Sequence, residues 1–417
     1  MDARRLGIVA MAALAAAGCR DAGADDARGG SAAAAELGEL AAMEVSAEPG
    51  SAEPDLTTAP DGRVYLSWVE PGADSTHALR FAVLEGGAWS QPRTVASGRG
   101  WFVNWADFPS LRVMEGGRMA AHWLQKRGAG KYAYDVRIAQ SADGGATWTE
   151  GVVPHRDGAE AEHGFAALWA AAGDSLGAVW LDGRKYATAK EGPGAETMLV
   201  STSLARDGAV GAERVLDDRI CDCCQTSMAR TAAGPVVVYR DRSPEEVRDI
   251  SIVRQVNGAW TAPKPVHADG WVMPACPVNG PAVSADGGRV AVAWYTAADS
   301  TPQVKVAFSD DAGAAFAAPV RIDGGKPLGR VDVELVEGGA LVSWLEARGE
   351  KGAEVRVRRV SRDGKAGEPR VVASSGSERA SGFPRMVRAG GEVVFAWTEP
   401  GAKSTVRTAR APLGGGR

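Results

Sequence analysis

Acids and arginines follow directly on strand-like runs at matching points of the chain. Trp180-Leu-Asp182-Gly-Arg184-Lys-Tyr186 and Tyr239-Arg240-Asp241-Arg242 each place a carboxylate and guanidinium groups just past an apolar run. Arg330, Asp332 and Glu334 alternate along one run, so they share one face of a strand, and Arg385 opens another run. Arginines gathered from separate segments suit an anionic ligand, because the guanidinium fork matches a carboxylate in bidentate fashion. Exposed loops are rich in Arg and Asp in any case, and these residues also pair with one another. A second group of reactive side chains is Cys221-Asp-Cys223-Cys224, with Cys276 in Pro274-Ala-Cys276-Pro277. Two disulfides, one of them local, or a soft-metal site for copper or zinc both account for this spacing. The five histidines, His77, His122, His155, His163 and His267, form no pair at ligand spacing, which speaks against a histidine-based metal site.

The elements that must position these residues repeat. Runs ending in an aromatic residue recur at Trp68, Trp123, Trp180, Tyr239, Trp294, Trp344 and Trp397. Each follows a Gly-containing turn such as Asp286-Gly-Gly or Gly390-Gly391 and precedes a polar loop. A period of roughly fifty residues with about four strands per unit predicts an all-β fold, a β-propeller of four-stranded antiparallel blades. Seven blades are expected, with six as the alternative. The last repeat stops after three strands, near Leu413, so residues Met43 to Glu48 are expected to supply the missing outer strand and close the ring. In such blades the first-to-second and third-to-fourth strand turns lie on one face. The loops that carry the acids, arginines and cysteines lie on the other, where the axial channel offers concavity.

Two turns have a sharper pattern. Ser141-Ala-Asp143-Gly-Gly145-Ala-Thr-Trp148 and Ser309-Asp-Asp311-Ala-Gly313-Ala-Ala-Phe316 both read S-x-D-x-G-x-x-aromatic, with a weaker copy at Ser361-Arg-Asp363-Gly364. Here the chain resembles the Asp-box (BNR) repeat propellers, the superfamily that includes bacterial sialidases, over nearly all of residues 42–413. The resemblance implies a glycan-active or glycan-binding propeller. Sialidases use a tyrosine nucleophile with a glutamate partner, an aspartic acid and three arginines on the sugar carboxylate. Carried over, it suggests Tyr239 with Glu334, Asp107 or Asp182 as the acid, and Arg184, Arg240, Arg242, Arg330 and Arg385 as ligands of the substrate. No Arg-Ile-Pro string is present in the first repeat, which leaves these assignments without a motif. Non-catalytic propellers carry the same boxes, so a binding scaffold and a cysteine-based metal or redox protein remain open beside the enzyme.

The N-terminus reads as a leader. Arg4 and Arg5 precede an apolar run from Leu6 to Ala17, and Ala16-Ala-Gly-Cys19 resembles a lipobox. The expectation is a signal peptide over 1–19, a lipid on Cys19, a flexible tether over 20–41, and export to the cell envelope, in the outer membrane. Membrane contact is then through the anchor only. A net charge of −5 gives no basic field for nucleic acid, and no phosphate-cradling glycine loop or other cofactor motif is found.

Overall fold

In a computed structural model, residues 37–189 and 194–414 are described; the leader and its Cys19 lie outside them. Seven antiparallel sheets follow one another along the chain and form the blades of a β-propeller. Blade 1 runs from Ala52–Thr58 at the axis outward through Val64–Pro71 and Thr76–Glu85 to Arg93–Arg99. Blade 2 keeps three strands, and its outer edge is reduced to a bridge between Ile138 and Val152. Blade 7 is closed by the N-terminus, where Ala41–Met43 pairs with Thr405–Pro412. The closing segment therefore lies slightly earlier than Met43 to Glu48. Leu37 bridges to Leu413 and is buried among residues of blades 6 and 7, so the fold takes in the end of the segment expected to be a tether.

The core is divided like the ring. Seven apolar clusters are present among the described residues, each shared by two neighbouring blades. Trp68, Trp180, Trp294 and Trp344 are fully buried at these seams. The aromatic residues that end the second strands are thus the pieces that join blade to blade, since a single sheet cannot bury both of its faces alone. In blades 1, 3 and 6 the indole donates to an acid two residues on: Trp68 to Glu70 at 2.7 Å, Trp180 to Asp182 at 2.8 Å and Trp344 to Glu346 at 2.6 Å. A buried N–H needs an acceptor, and the W-x-acid pattern supplies one.

The two sharp turns close as their residues dictate. Ser141 Oγ donates to Asp143 and accepts from the Gly145 amide at 2.8 Å, while Asp143 accepts from the Thr147 amide and hydroxyl. Ser309, Asp311, Gly313 and Ala315 repeat the arrangement. Gly145 has φ +82, and a Cβ there would stand 2.6 Å from the Phe81 ring, so both conformation and space demand glycine.

Candidate functional site

On the loop face the inner strands of blades 1, 3 and 6 begin with β-bulges, and a non-glycine residue in each bulge has positive φ: Glu53 (+58), Phe165 (+52) and Arg330 (+54). Such conformations cost of order 1–3 kcal/mol each and persist where the surroundings over-determine them. The bulge in blade 3 points the Phe165 amide at Asp107 Oδ1, 2.7 Å away. The other carboxyl oxygen of Asp107 lies 2.8 Å from Tyr134 Oη, and Glu162 Oε1 lies 2.7 Å from the same hydroxyl. Tyr134 and Glu162 are brought together by a parallel bridge between blades 2 and 3. The packing leaves no slack: a Cβ on Gly164 would stand 2.0 Å from Asp107 Oδ2.

A phenol has one proton to give, so two carboxyls on one phenolic oxygen need a second proton among them. Burial raises Asp107 to about 7, against the hydrogen bonds from Tyr134 and the Phe165 amide. Burial raises Glu162 to about 8, against the Tyr134 hydrogen bond and with further help from the charges of Asp107 and Asp222. Glu53, fully enclosed beyond Asp107, is raised as well, by burial first and by Asp107 second. The site thus holds carboxylic acids that keep a proton near neutrality, one of them against a tyrosine. Tyr134 itself is buried beneath Phe102, whose ring stacks on it at 4.0 Å, while Glu162 is partly exposed.

The residues that the sequence singled out are dispersed. Of them only Asp107 belongs to this cluster. Tyr239 donates to Asp217 Oδ2 at 2.6 Å and does not meet Glu334. Glu334 sits in the axial channel near its opposite end, bonded to Ser284, and burial raises it to about 8. Asp182 is enclosed beneath the Trp180 indole and Arg184.

Nor do the five arginines converge. Arg240 gives its donors to the carbonyls of Asn279 (2.9 Å), Arg248 (2.5 Å) and Tyr295 (2.6 Å), with Trp271 stacked 4.9 Å away. Arg330 donates to the carbonyls of Glu378 and Gly382. These two are latches between blades, because loop carbonyls buried at the axis have no strand partner. Arg184 pairs with Asp182, Asp157 and Glu213, and Arg242 with Glu246. Arg385 faces Asp55 at 3.3 Å and Asp332 at 3.6 Å inside the channel, a polar cavity of about 320 Å³. Its loop-face end is spanned by Gln225, which donates to the Ala106 carbonyl and accepts from the Gly280 amide, and by the stacked rings of Trp105 and Phe383. The axial mouth expected on this face is therefore covered.

The cysteines form one disulfide, Cys223–Cys276, which ties the loops entering blades 4 and 5. The second disulfide expected as one reading is not formed. Cys221 and Cys224 are free and buried, 3.2 Å apart at sulfur. Burial opposes ionisation of Cys221, but the Cys224 thiol and the Arg248 guanidinium, which donates to its sulfur at 3.2 Å, outweigh it and bring it down to about 7.

No protein-family model matches the chain, and no curated protein does. Solved structures do. A protein of unknown function from Dyadobacter fermentans DSM 18053 is 14% identical, with 91% of this chain and 100% of that chain covered and a TM-score of 0.54. The NanB sialidase of Streptococcus pneumoniae is 9% identical over 84% of this chain and 83% of its own, at a TM-score of 0.48. An α-L-arabinofuranosidase from Fusarium graminearum is 12% identical over 91% and 98%, at 0.47. At these identities the likeness is one of fold.

Tyr134 and Glu162 escaped the sequence reading because each sits in an unremarked stretch and they meet only across a blade seam. The available signal was Gly164, a glycine at the start of an inner strand, where a side chain would collide with both Asp107 and Tyr134.

Proposed function

We propose that this propeller acts on a glycan of the cell envelope, with Tyr134, Glu162 and Asp107 as its reacting groups. The observation that carries the reading is the phenolic oxygen of Tyr134 held between two carboxyls at 2.7 and 2.8 Å. In this scheme a sugar approaches over Glu162, the member nearest solvent, and Phe102 yields to admit it. Asp107, the less raised of the two carboxyls, takes the phenolic proton as Tyr134 Oη attacks the anomeric carbon, while Glu162 protonates the departing oxygen. Water then reverses the first step and frees the sugar. Selectivity for an anionic sugar through the five arginines loses its support, because Arg184, Arg240, Arg242 and Arg330 spend donors within the protein and Arg385 faces Asp55 and Asp332 in the channel. The fluorogenic panel that tests the reading therefore includes neutral glycosides beside a sialoside and a glucuronide. Turnover by the wild type that falls at least about a thousandfold in Tyr134→Phe supports the reading, since removal of a nucleophile leaves only binding and electrostatics. Turnover unchanged in that variant overturns it.

A second reading, a non-catalytic glycan- or protein-binding scaffold, is favoured by one observation: Tyr134 is wholly buried. It predicts glycan retention without turnover. In both readings the lipid on Cys19 holds the propeller at the envelope, and labelling with a fatty-acid analogue that Cys19→Ser abolishes is the expected result.

A further inference from the structure

Behind the Tyr134 and Glu162 pair, the next residues of the same two segments turn the other way. Asp135 and His163 meet His155 there in a pocket between blades 2 and 3. The three side chains are 6%, 0% and 1% exposed. Their ligand-type atoms lie within 4.8 Å of one another. The two imidazoles stack at 3.6 Å with their planes 7° apart.

We propose that Asp135 Oδ1, His155 Nε2 and His163 Nδ1 bind a divalent transition-metal ion of the zinc class. The first ground is orphaned atoms. Asp135 Oδ1, both nitrogens of His155 and Nδ1 of His163 make no hydrogen bond, although His155 Nε2 is only 3.2 Å from Asp135 Oδ1. Buried polar groups lacking a partner are rare, and a missing ion is one of the few explanations. The second is orientation. His163 Nε2 donates to Asp157 Oδ2 at 3.0 Å, and His155 Nδ1 stands 3.2 Å from the same oxygen. Asp157 thus holds the Nε2 side of His163 and turns its Nδ1 toward Asp135, as metal-ligating histidines are oriented elsewhere, and the parallel ring of His155 presents Nε2 on the same side. The third is charge. Four carboxylates (Asp135, Asp157, Asp182, Glu213) face two guanidinium groups (Arg127, Arg184), an excess of two acids over the arginines. A dication at the edge of the two rings balances that excess and fills the empty valences at once. Two imidazoles and a carboxylate suit zinc and its neighbours, whereas calcium and magnesium call for oxygen donors. The ion braces the two segments that place Tyr134 and Glu162, but the site stands whether or not those residues catalyse.

The test is elemental analysis of the full-length chain, purified in detergent without a polyhistidine tag, together with zinc titration after chelator treatment. About one equivalent of a zinc-class metal per chain, or saturable uptake of one equivalent by the stripped protein with a rise in its unfolding midpoint, is the expected result. His155→Ala and His163→Ala should each weaken zinc binding at least about tenfold. Asp135→Asn, which keeps the side-chain shape, should do the same and serves if the alanine variants fail to fold. Less than about a tenth of an equivalent bound by the wild type at micromolar free zinc overturns the proposal. So does undiminished binding in Asp135→Asn or the histidine variants, which would move the metal to the cysteine cluster.

Discussion

Replacing Arg240 with methionine should destabilise the propeller by about 3–5 kcal/mol while leaving no specific defect in ligand handling. The guanidinium is 1% exposed and donates to three carbonyls, from Asn279, Arg248 and Tyr295, which belong to the segments around blades 4 and 5. Methionine keeps most of the apolar stem and its packing on Trp271, so the change isolates the polar head. Each carbonyl left without a donor in the interior costs about 1–3 kcal/mol, a gross loss near 6 kcal/mol. Relief from burying a charge returns part of it, and the net falls within the range seen when one partner of a buried charged group is removed. Urea unfolding followed by tryptophan fluorescence reads this directly, because a fall in midpoint at constant slope is a change in stability. A loss below about 1 kcal/mol, paired with weakened binding of an anionic glycan, would refute the latch and restore Arg240 to a substrate-binding role.

Other expectations follow from the same geometry. If Glu162 donates the proton, turnover should decline as pH rises through about 8, because its raised pKa keeps the acid form only below that value; a rate that climbs through that range would contradict the assignment. Glu334 is raised to about 8, so between its unfolded value and 8 the folded state holds a proton that the unfolded state has lost, and stability falls as pH rises. Glu334→Gln should therefore gain on the wild type as pH moves from 5 to 8, by up to about 3 kcal/mol, with denaturant titrations at the two pH values as the check. Peptide mapping after alkylation of the unfolded, unreduced chain should find Cys221 and Cys224 alkylated in a peptide linked to that of Cys276; an unalkylated pair would mean a second disulfide.

Much of the architecture was legible because one physical requirement repeats. Each blade needs a large aromatic residue at its seam, and Trp68, Trp180, Trp294 and Trp344 mark those seams in the sequence as they do in the fold. The glycines and aspartates of the Asp143 and Asp311 turns are equally local, since a turn closes on its own residues. The site was less legible because it is made between blades. Tyr134 and Glu162 lie in different blades, and Asp107 in the loop entering the second. The arginine-rich loops misled for a related reason. Near the axis of a ring, loops from many blades crowd together with carbonyls unpaired, and Arg240 and Arg330 satisfy them. From sequence, a guanidinium that serves the backbone and one that awaits a ligand look the same. The histidines show the same limit: His155 and His163 are too far apart in sequence for a ligand motif, yet their rings stack.

In the proposed reaction Tyr134 is the nucleophile of a glycan-active site, and a trapped intermediate tests this. A 2-fluoro glycoside with a good leaving group, matched to the sugar found active in the fluorogenic panel, should leave its sugar on the protein, because fluorine slows both displacements while the leaving group restores the rate of the first alone. Digestion and tandem mass spectrometry then locate the added mass. One sugar per chain, attached at Tyr134 and absent from Tyr134→Phe, is the expected result. A sugar attached to Asp107 or Glu162, or turnover of the parent glycoside with no adduct at any tyrosine, would contradict it.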